Sequence, residues 1–328
     1  MIISKTPYRV SFFGGGTDYP EWFNKHMGAT FGTSIDKYVY ITCRKLPPFF
    51  NHKIRLMYAK IEECNHVDEI EHPVVREAMK MMGFDNGLKM LYDGDLPARS
   101  GMGSSSSFTV GFLNCLYAML GRIIDKHDLA LNAIHVEQNL VKDTVGCQDQ
   151  MYASHGGLNY IEYGPVHGRI EVYPVPITRD VEQNFSNHLM LFFTGFTRMA
   201  SEIAKSYVPT LTEKSDALKQ LQQMAKNAIQ VVADEKYREF GEMLDYSWQL
   251  KKKVSDKISS PDIDAIYQRA LNNGAWGGKL LGAGGGGFML IFAPPENHAN
   301  IIRGLSDLIY VPIEIENGGT QILFYNKQ

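Results

Sequence analysis

The chain has 328 residues, of which 44% are hydrophobic and 21% are charged. Both fractions are ordinary for a globular protein, so they exclude a disordered chain, a collagen and a small disulfide scaffold. Thirty-three basic residues against 36 acidic residues give a net charge of −3. Nucleic-acid-binding proteins usually carry a clear basic excess, and we therefore expect no nucleic-acid partner. The length fits two ordinary domains or one large domain.

Cysteine usage and apolar stretches indicate the compartment. The four cysteines form no C-x-x-C pair, which excludes a zinc ribbon and a thioredoxin motif and favours reduced thiols. The first residues lack the charged and then apolar layout of a signal peptide. The longest apolar stretches, 189–193 and 288–293, are too short to cross a bilayer. We therefore expect a cytoplasmic protein with no membrane partner.

The first part of the chain is predicted to mix strands and helices. Residues 38–42 are rich in β-branched and aromatic side chains and predict a strand. Apolar residues recur at helical spacing from Ser104, and Gly121 suits the end of that helix. Asp128 is the expected N-cap of a second helix that runs to Val141. Further strands are predicted at 158–162, 170–173 and 189–193.

The second part begins near residues 174–180 and is predicted to be helical at first. Ser260 followed by Pro261 is a plausible cap and first helical position, and Gly274 fits that helix's end. Helices are predicted at 216–233, 235–254, 262–271 and 299–308, and strands at 279–281, 288–292, 310–315 and 322–325. Strands at both ends with helices between them indicate an α+β fold rather than a doubly wound sheet.

A glycine- and serine-rich segment, residues 96–107, runs directly into the predicted helix at Ser104. Gly101 and Gly103 permit positive φ angles and close approach of a ligand. Successive backbone amides and the helix N-terminus then form a cradle for a polyphosphate. The simpler alternative is a glycine turn followed by a serine N-cap.

Other phosphate-binding and catalytic motifs are absent from the sequence. No G-x-x-x-x-G-K-[ST] segment and no H-R-D or D-F-G triplet occurs. Gly282, Gly284 and Gly287 match a dinucleotide-binding fingerprint, but a predicted strand follows them where that fingerprint needs a helix. No G-x-S-x-G elbow surrounds residues 104–107, which disfavours a hydrolase.

Three segments together resemble the GHMP small-molecule kinases. Residues 97–107 resemble the family's P-x-x-x-G-[LM]-G-S-S phosphate loop, residues 9–19 its sugar-kinase substrate motif, and residues 279–287 its glycine-rich third motif. The resemblance implies an N-terminal domain like that of ribosomal protein S5 (domain 2) and a ferredoxin-like C-terminal domain. We expect these domains at 1–175, with the ATP loop, and at 176–328.

Within the sugar-kinase branch, residues 6–18 and 145–150 resemble the heptose 7-phosphate kinases. This resemblance implies transfer of the γ-phosphoryl group of ATP to an anomeric hydroxyl, with a sugar phosphate and ATP as the small-molecule partners. Galactokinases have Glu-His where this chain has Gly15 and Gly16, which argues against galactose as the acceptor.

Glu137 interrupts an apolar stripe of the predicted helix 128–141. A buried, unpaired charge there would be costly, so a cation or a buried partner must offset it. The alternative is a glutamate at the edge of the stripe that reaches water. The family resemblance implies that Glu137 and the hydroxyl of Ser105 hold Mg²⁺, which prefers oxygen ligands.

The resemblance also assigns the remaining site residues. Asp149 would be the base or the group that orients the attacking hydroxyl, and Arg9 would stabilise charge beside it. Asp18 would accept hydrogen bonds from sugar hydroxyls. ATP binding is expected at Pro97, Gly101, Met102, Gly103, Ser104, Ser105 and Ser106. Substrate binding is expected at Gly15, Gly16, Asp18, Gly284 and Gly285.

Two other functions remain open from the sequence. One is a kinase of a free sugar such as fucose or galactose, and the other is a sugar or nucleotide sensor without catalysis. A loosely basic region offers candidates for a distal substrate phosphate, although a solvated face is its simpler interpretation. This region comprises Arg44, Lys45, His52, Lys53 and Arg55. The sequence does not indicate an oligomeric state.

Overall fold

The computed structural model describes residues 1–84, 87–164, 169–195, 204, 208, 215–253, 258–282 and 284–326. In these residues the strands form two separate sheets. The strands of the first sheet are β1 (Ile2–Phe13), β2 (Gly28–Lys45), β3 (Ile54–Met57), β4 (Ile61–Cys64), β5 (Leu88–Gly94), β6 (Leu158–Tyr163), β7 (Ile170–Pro174) and β12 (Gln321–Tyr325). The strands of the second are β8 (Leu189–Phe193), β9 (Gly277–Leu280), β10 (Phe288–Phe292) and β11 (Ile309–Val311).

The first sheet is organised around the long strand β2. Its path runs β12-β1-β2-β5-β3-β4, while the first residues of β2 pair with β6, which in turn pairs with β7. Val39, Ile41 and Cys43 alternate with more exposed residues, so this half of β2 buries one face. The half that pairs with β6 is buried throughout, as its apolar and small residues allow.

The helices of the first part are α1 (Pro20–Phe23), α2 (Pro73–Met82), α3 (Ser104–Met119), α4 (Lys126–Ile134) and α5 (Gln148–His155). Helix α3 is the predicted helix at Ser104, and it packs on β1 and β2. The predicted cap of α4 is wrong by three residues. Asp125, not Asp128, is its N-cap, because the Asp125 carboxylate accepts hydrogen bonds from the amides of His127 and Asp128 at 2.9 Å.

The predicted helix 128–141 also differs in type. It is α-helical to Ile134 and continues as a π-helical stretch, His135–Leu140. π-Helical turns are rare and are frequent at functional sites. This stretch carries Glu137.

The second sheet has the order β11-β8-β10-β9 and is antiparallel throughout. Five helices accompany it: α6 (Arg179–Ser186), α7 (Ser215–Ala233), α8 (Tyr237–Lys252), α9 (Pro261–Asn272) and α10 (His298–Gly304). Ser260 caps α9 as predicted, with its hydroxyl accepting from the amide of Ile263 at 3.3 Å. Helix α7 packs against β2, so it covers part of the first sheet.

Two elements near the end of the chain are shorter than predicted. The helix expected to reach residue 308 ends at Gly304, and the strand expected to reach residue 315 ends at Val311. Pro312 follows that strand, and proline has no amide hydrogen for a ladder. The predicted end of α8, Val254, lies outside the described residues.

The last strand, β12, belongs to the first sheet, where it pairs antiparallel with β1. The hydroxyl groups of Thr6 and Thr320 also form a hydrogen bond of 2.8 Å in the protein interior. The chain therefore passes from the first sheet to the second and back. The α+β class is confirmed, and the division at residue 175 stays a prediction.

Candidate active site

A cleft between the two sheets brings together the three motifs. Its walls include Arg9 and Asp18 from the first motif, the loop at Gly101 and Gly103, and Gly282 from the third motif. The start of α5, with Gln148 and Asp149, and the faces of α7 and α8 complete the walls. Residues far apart in sequence therefore share one concave site.

The phosphate loop enters α3 through a glycine rather than a serine cap. Gly103 is the N-cap with φ 76°, and no side chain caps the helix. Ser104 is the first helical residue, so the serine N-cap is not what the structure shows. The first amides of α3 have no partner within the helix and are free to bind an anion at the cleft.

Pro97 and Met102 shape this loop without lining the cleft. The exposed Pro97 offers its carbonyl to the Ser100 hydroxyl at 2.6 Å. Met102 is fully buried, and its carbonyl accepts from the amide of Arg9 at 3.2 Å. Gly101, Gly103, Ser104, Ser105 and Ser106 do line the cleft.

The third motif supports the phosphate loop by backbone contact. A Cβ at Gly101 would clash with the Leu281 carbonyl, and a Cβ at Gly282 would clash with the Cα of Gly101. Gly284 and Gly285 do not line the cleft, and they pack against Ile258 instead, where the Gly285 amide donates to its carbonyl at 3.0 Å. The predicted substrate contact of these two glycines stays a prediction.

Arg9 and Asp149 form a bidentate ion pair on the cleft wall. Nε and Nη2 of Arg9 donate to Oδ1 and Oδ2 of Asp149 at 2.7 and 2.8 Å. Nη1 donates to the Gly101 carbonyl at 2.7 Å, which ties the pair to the phosphate loop. Arg9 is almost fully buried, while the Asp149 side chain is 25% exposed. The carboxylate is therefore fixed in direction yet open to a ligand.

Asp18 is buried beside the glycines of the first motif. Its Oδ1 accepts from the Gly16 amide at 2.9 Å, and its Oδ2 accepts from Gln148 Nε2 at 2.9 Å. Burial raises the pKa of the Asp18 carboxyl above its usual range, and the negative charge of the nearby Asp149 raises this pKa further. A Cβ at Gly146 would overlap Oδ2, so only glycine fits there.

Glu137 lies behind the phosphate loop with three donors on its carboxylate. The hydroxyls of Ser106 and Thr109 donate at 2.9 and 2.6 Å, and the Gln150 amide donates as well. The predicted burial is confirmed, because the residue is only 2% exposed. Burial raises the pKa of Glu137 to about 7. Its serine partner is Ser106, whereas Ser105 is exposed at the cleft.

Sequence reasoning missed two lysines of the cleft. The ammonium of Lys279 on β9 donates to the Phe12 carbonyl at 2.7 Å, and that of Lys251 on α8 donates to the Gly282 carbonyl. Lys251 follows Leu244 and Ser247 at helical spacing on the buried stripe of α8. The same reasoning that identified Glu137 would have found Lys251.

Ser11, Gln148 and Ser247 were also missed. Each lines the cleft and is largely buried. Within the described part of the chain, Ser11 Oγ, Gln148 Oε1 and Ser247 Oγ have no hydrogen-bond partner. Ser11 and Gln148 lie in segments that carried the family resemblance but were assigned no role, and no pattern singled out Ser247.

The basic region that was considered for a distal phosphate lies elsewhere. Its members sit at the end of β2 and around β3, and none of them lines the cleft. His52 and Arg55 both face Glu63, at 3.4 and 3.3 Å. The solvated-face interpretation fits this region.

Two family models match this chain. The model of the GHMP kinase N-terminal domain matches residues 69–157, and that of the GHMP kinase C-terminal domain matches residues 217–308. Together they cover more than half of the chain. This chain is a GHMP kinase.

Relatives and solved structures agree with the family. D-glycero-alpha-D-manno-heptose 7-phosphate kinase of Campylobacter jejuni is 28% identical over 319 residues, or 93% of each chain. The bifunctional fucokinase/GDP-fucose pyrophosphorylase of Arabidopsis thaliana is 23% identical over 90% of this chain and 30% of its own length. A D-glycero-D-manno-heptose 1-phosphate kinase from Bacteroides thetaiotaomicron has the same fold, with a TM-score of 0.81, 20% identity and full coverage of both chains.

The GHMP kinase is an ATP-dependent phosphotransferase. The predicted family and the predicted enzyme class are therefore confirmed, as is the two-part GHMP kinase fold. Within the described part of the chain, no helix is long and apolar enough to cross a membrane.

Proposed function

We propose that this GHMP kinase phosphorylates the anomeric hydroxyl of D-glycero-D-manno-heptose 7-phosphate and forms the 1,7-bisphosphate. The similarity over 93% of the Campylobacter jejuni heptose 7-phosphate kinase supports this acceptor. So do Gly15 and Gly16, which leave room where a galactokinase carries larger side chains.

The observation that carries a sugar acceptor is the set of unpaired polar atoms in the cleft. Ser11 Oγ, Gln148 Oε1 and Ser247 Oγ are buried without partners among the described residues, and such atoms are costly to leave unsatisfied. Asp18 adds a carboxylate beside Gln148. A polyhydroxylated ligand supplies donors and acceptors at close spacing, so it can satisfy these atoms.

The chemistry follows from the position of Asp149. In the proposed reaction, the anomeric oxygen forms a bond to the γ-phosphorus, and the bond from phosphorus to the bridging oxygen of ADP breaks. Asp149 orients the hydroxyl and accepts its proton. Arg9 holds both carboxylate oxygens, so it fixes the direction of that proton transfer. Because the transition state is loose, such positioning supplies much of the catalysis.

The nucleotide is proposed to lie with its phosphates on the phosphate loop. Gly101 and Gly103 hold the backbone where amides face the cleft, and the free amides of α3 add the positive end of a helix. The hydroxyls of Ser104 and Ser105 are further donors at this end of the cleft.

Mg²⁺ is proposed to bind Glu137 together with a serine hydroxyl from the start of α3. The oxygens of Glu137 and Ser106 are 2.9 Å apart. A carboxylate and a hydroxyl are oxygen ligands of the kind that Mg²⁺ prefers, and this hydrogen bond makes them neighbours, as two ligands of one ion must be. When bound, the ion would neutralise charge on the phosphates. Ser105 is the alternative hydroxyl, exposed at the cleft.

Competition kinetics test this function. At fixed MgATP, we expect kcat/KM for the heptose 7-phosphate to exceed that for fucose, galactose and mannose, with phosphate appearing at C1 of the product. A free sugar with equal or higher kcat/KM would instead make the enzyme a kinase of that sugar. Absence of sugar-dependent ADP release would leave the sensor interpretation.

A further inference from the structure

One group of residues in the cleft has no role in the proposed transfer. Ser247 and Lys251 are one turn apart on α8, and Lys279 lies on β9. All three side chains line the same cleft as Asp18. They come from the second part of the chain, opposite the phosphate loop's own helix.

The hydrogen bonding of this group is incomplete. An ammonium group has three donors, and the structure gives each lysine one carbonyl acceptor. Among the residues that the structure describes, no carboxylate is within ion-pair distance of either ammonium. The Ser247 hydroxyl is buried and has no partner in the same described set. Two cations and one hydroxyl therefore face the cleft with unsatisfied donors.

The pKa values of the two lysines also indicate that this part of the cleft suits an anion. Burial and the nearby charge of Arg9 lower the pKa of Lys251 to about 8, and burial lowers the pKa of Lys279 well below its usual range. Arg9 is already neutralised by Asp149. A bound anion would favour the charged form of both lysines, since an unpaired buried cation is unfavourable.

We propose that Ser247, Lys251 and Lys279 form a subsite that binds the phosphate group of a phosphorylated acceptor. A phosphate monoester suits this set, because it offers several acceptor oxygens to two ammonium groups and a hydroxyl. The subsite rests on the proposed function, and it names the residues that would select a sugar phosphate over a free sugar.

The alternative anion is the γ-phosphoryl group of ATP, but that group has its own cradle on the phosphate loop. Lys279 is instead tied to the carbonyl of Phe12, just before the glycines of the acceptor motif. Among carboxylates, Asp18 is the one whose charge acts on Lys251. Lys279 is thereby associated with the acceptor motif, while Lys251 is near Asp18 and binds the carbonyl of Gly282 in the third motif.

The test compares Lys251→Gln with Lys252→Gln. Lys252 is the next residue on α8, and it pairs with Asp264 at 3.1 Å outside the cleft. With heptose 7-phosphate, we expect Lys251→Gln to raise KM at least tenfold, on the scale of a lost charge-assisted hydrogen bond. KM for ATP and kinetics with unphosphorylated heptose should stay within about twofold, a small change on the affinity scale. Lys252→Gln should match the wild type.

Ser247→Ala and Lys251→Arg extend the comparison. Ser247→Ala should raise the same KM by a smaller factor, and Lys251→Arg should retain part of the affinity because the charge remains. Isothermal titration with the sugar phosphate and thermal unfolding provide readouts of binding and folding apart from turnover. Lys251→Gln protein that melts like the wild type and binds the sugar phosphate equally well would overturn the subsite.

The outcomes also separate this inference from the proposed function. If Lys251→Gln lowers kcat equally with phosphorylated and unphosphorylated heptose, Lys251 serves the transferred phosphoryl group and the subsite is wrong. If the wild-type enzyme itself shows no preference for the sugar phosphate, the proposed acceptor fails, whatever the variants do.

Discussion

The guanidinium of Arg9 holds both carboxylate oxygens of Asp149, at 2.7 and 2.8 Å, and through a third bond it also holds the phosphate loop. The two residues are 140 positions apart in sequence, yet they fix the place where donor and acceptor would meet. In the proposed reaction, the pair would thus couple the position of the reacting hydroxyl to the position of the nucleotide.

Asp149→Asn tests the chemical role of that carboxylate. We expect kcat to fall by roughly 10²-fold or more, the usual contribution of a positioned acid–base group. ATP affinity should change little, because Asp149 faces the acceptor. Steady-state kinetics with both substrates measure this, and near-normal turnover would remove Asp149 from the mechanism.

Gly103→Val tests the phosphate loop. A side chain at Gly103 would press on Arg9 and Asp149 at 3.2–3.4 Å and would need an unfavourable positive φ. We expect ATP affinity to fall at least tenfold, or about 1.4 kcal/mol. Gly121→Val is the matched control, since Gly121 also has positive φ but open space around it. ATP affinity within twofold of the control would contradict this placement of the phosphates.

Glu137→Gln tests the proposed magnesium ligand. The amide keeps the size of the side chain and removes its charge, so the variant should need a higher Mg²⁺ concentration for half-maximal rate. Titration of Mg²⁺ at saturating ATP measures the effect. An unchanged Mg²⁺ requirement would show that Glu137 has a structural role only.

Gly146→Ala tests the acceptor side. Because the new methyl group would overlap the Asp18 carboxylate, we expect KM for the acceptor to rise at least tenfold, while KM for ATP stays similar. Gly164→Ala is the control, since its Cβ would make ordinary contacts at 3.6–4.0 Å. Equal KM values in the two variants would argue against Asp18 as a substrate ligand.

The pH dependence of kcat/KM provides a further test of Lys251. The groups that act on it are Arg9 and Lys279, which are positive, and Asp18, which is negative. Its pKa of about 8 predicts that kcat/KM for the sugar phosphate falls as pH rises through 8, because the free enzyme loses a positive charge there. In the Lys251→Gln variant, kcat/KM for the sugar phosphate should no longer fall as the pH rises through 8. With an unphosphorylated sugar, the wild-type enzyme should not show this fall either.

Much of the site was predictable because its residues interrupt local patterns. Glu137 lies on an apolar helix stripe, and the glycines of the phosphate loop precede a helix. What the sequence did not reveal depends on packing between distant elements. Ser11, Gln148 and Ser247 become significant only when folding buries them around one cleft.

The same distinction applies to other parts of the chain. Gly284 and Gly285 belong to a glycine motif, and their packing against Ile258 is a contact that no local pattern encodes. The cap of α4 depended on a choice between two nearby aspartates, and either could have served by composition. The return of the last strand to the first sheet also rests on a long-range pairing.

That returning strand has a consequence for biosynthesis. A ribosome releases β1 early, but its partner β12 emerges only after more than 300 further residues, as the Thr6–Thr320 contact shows. Throughout that interval one edge of β1 has no neighbour, and unpaired edges invite association with other chains. The nascent protein therefore carries an unpaired strand edge until its final strand is made.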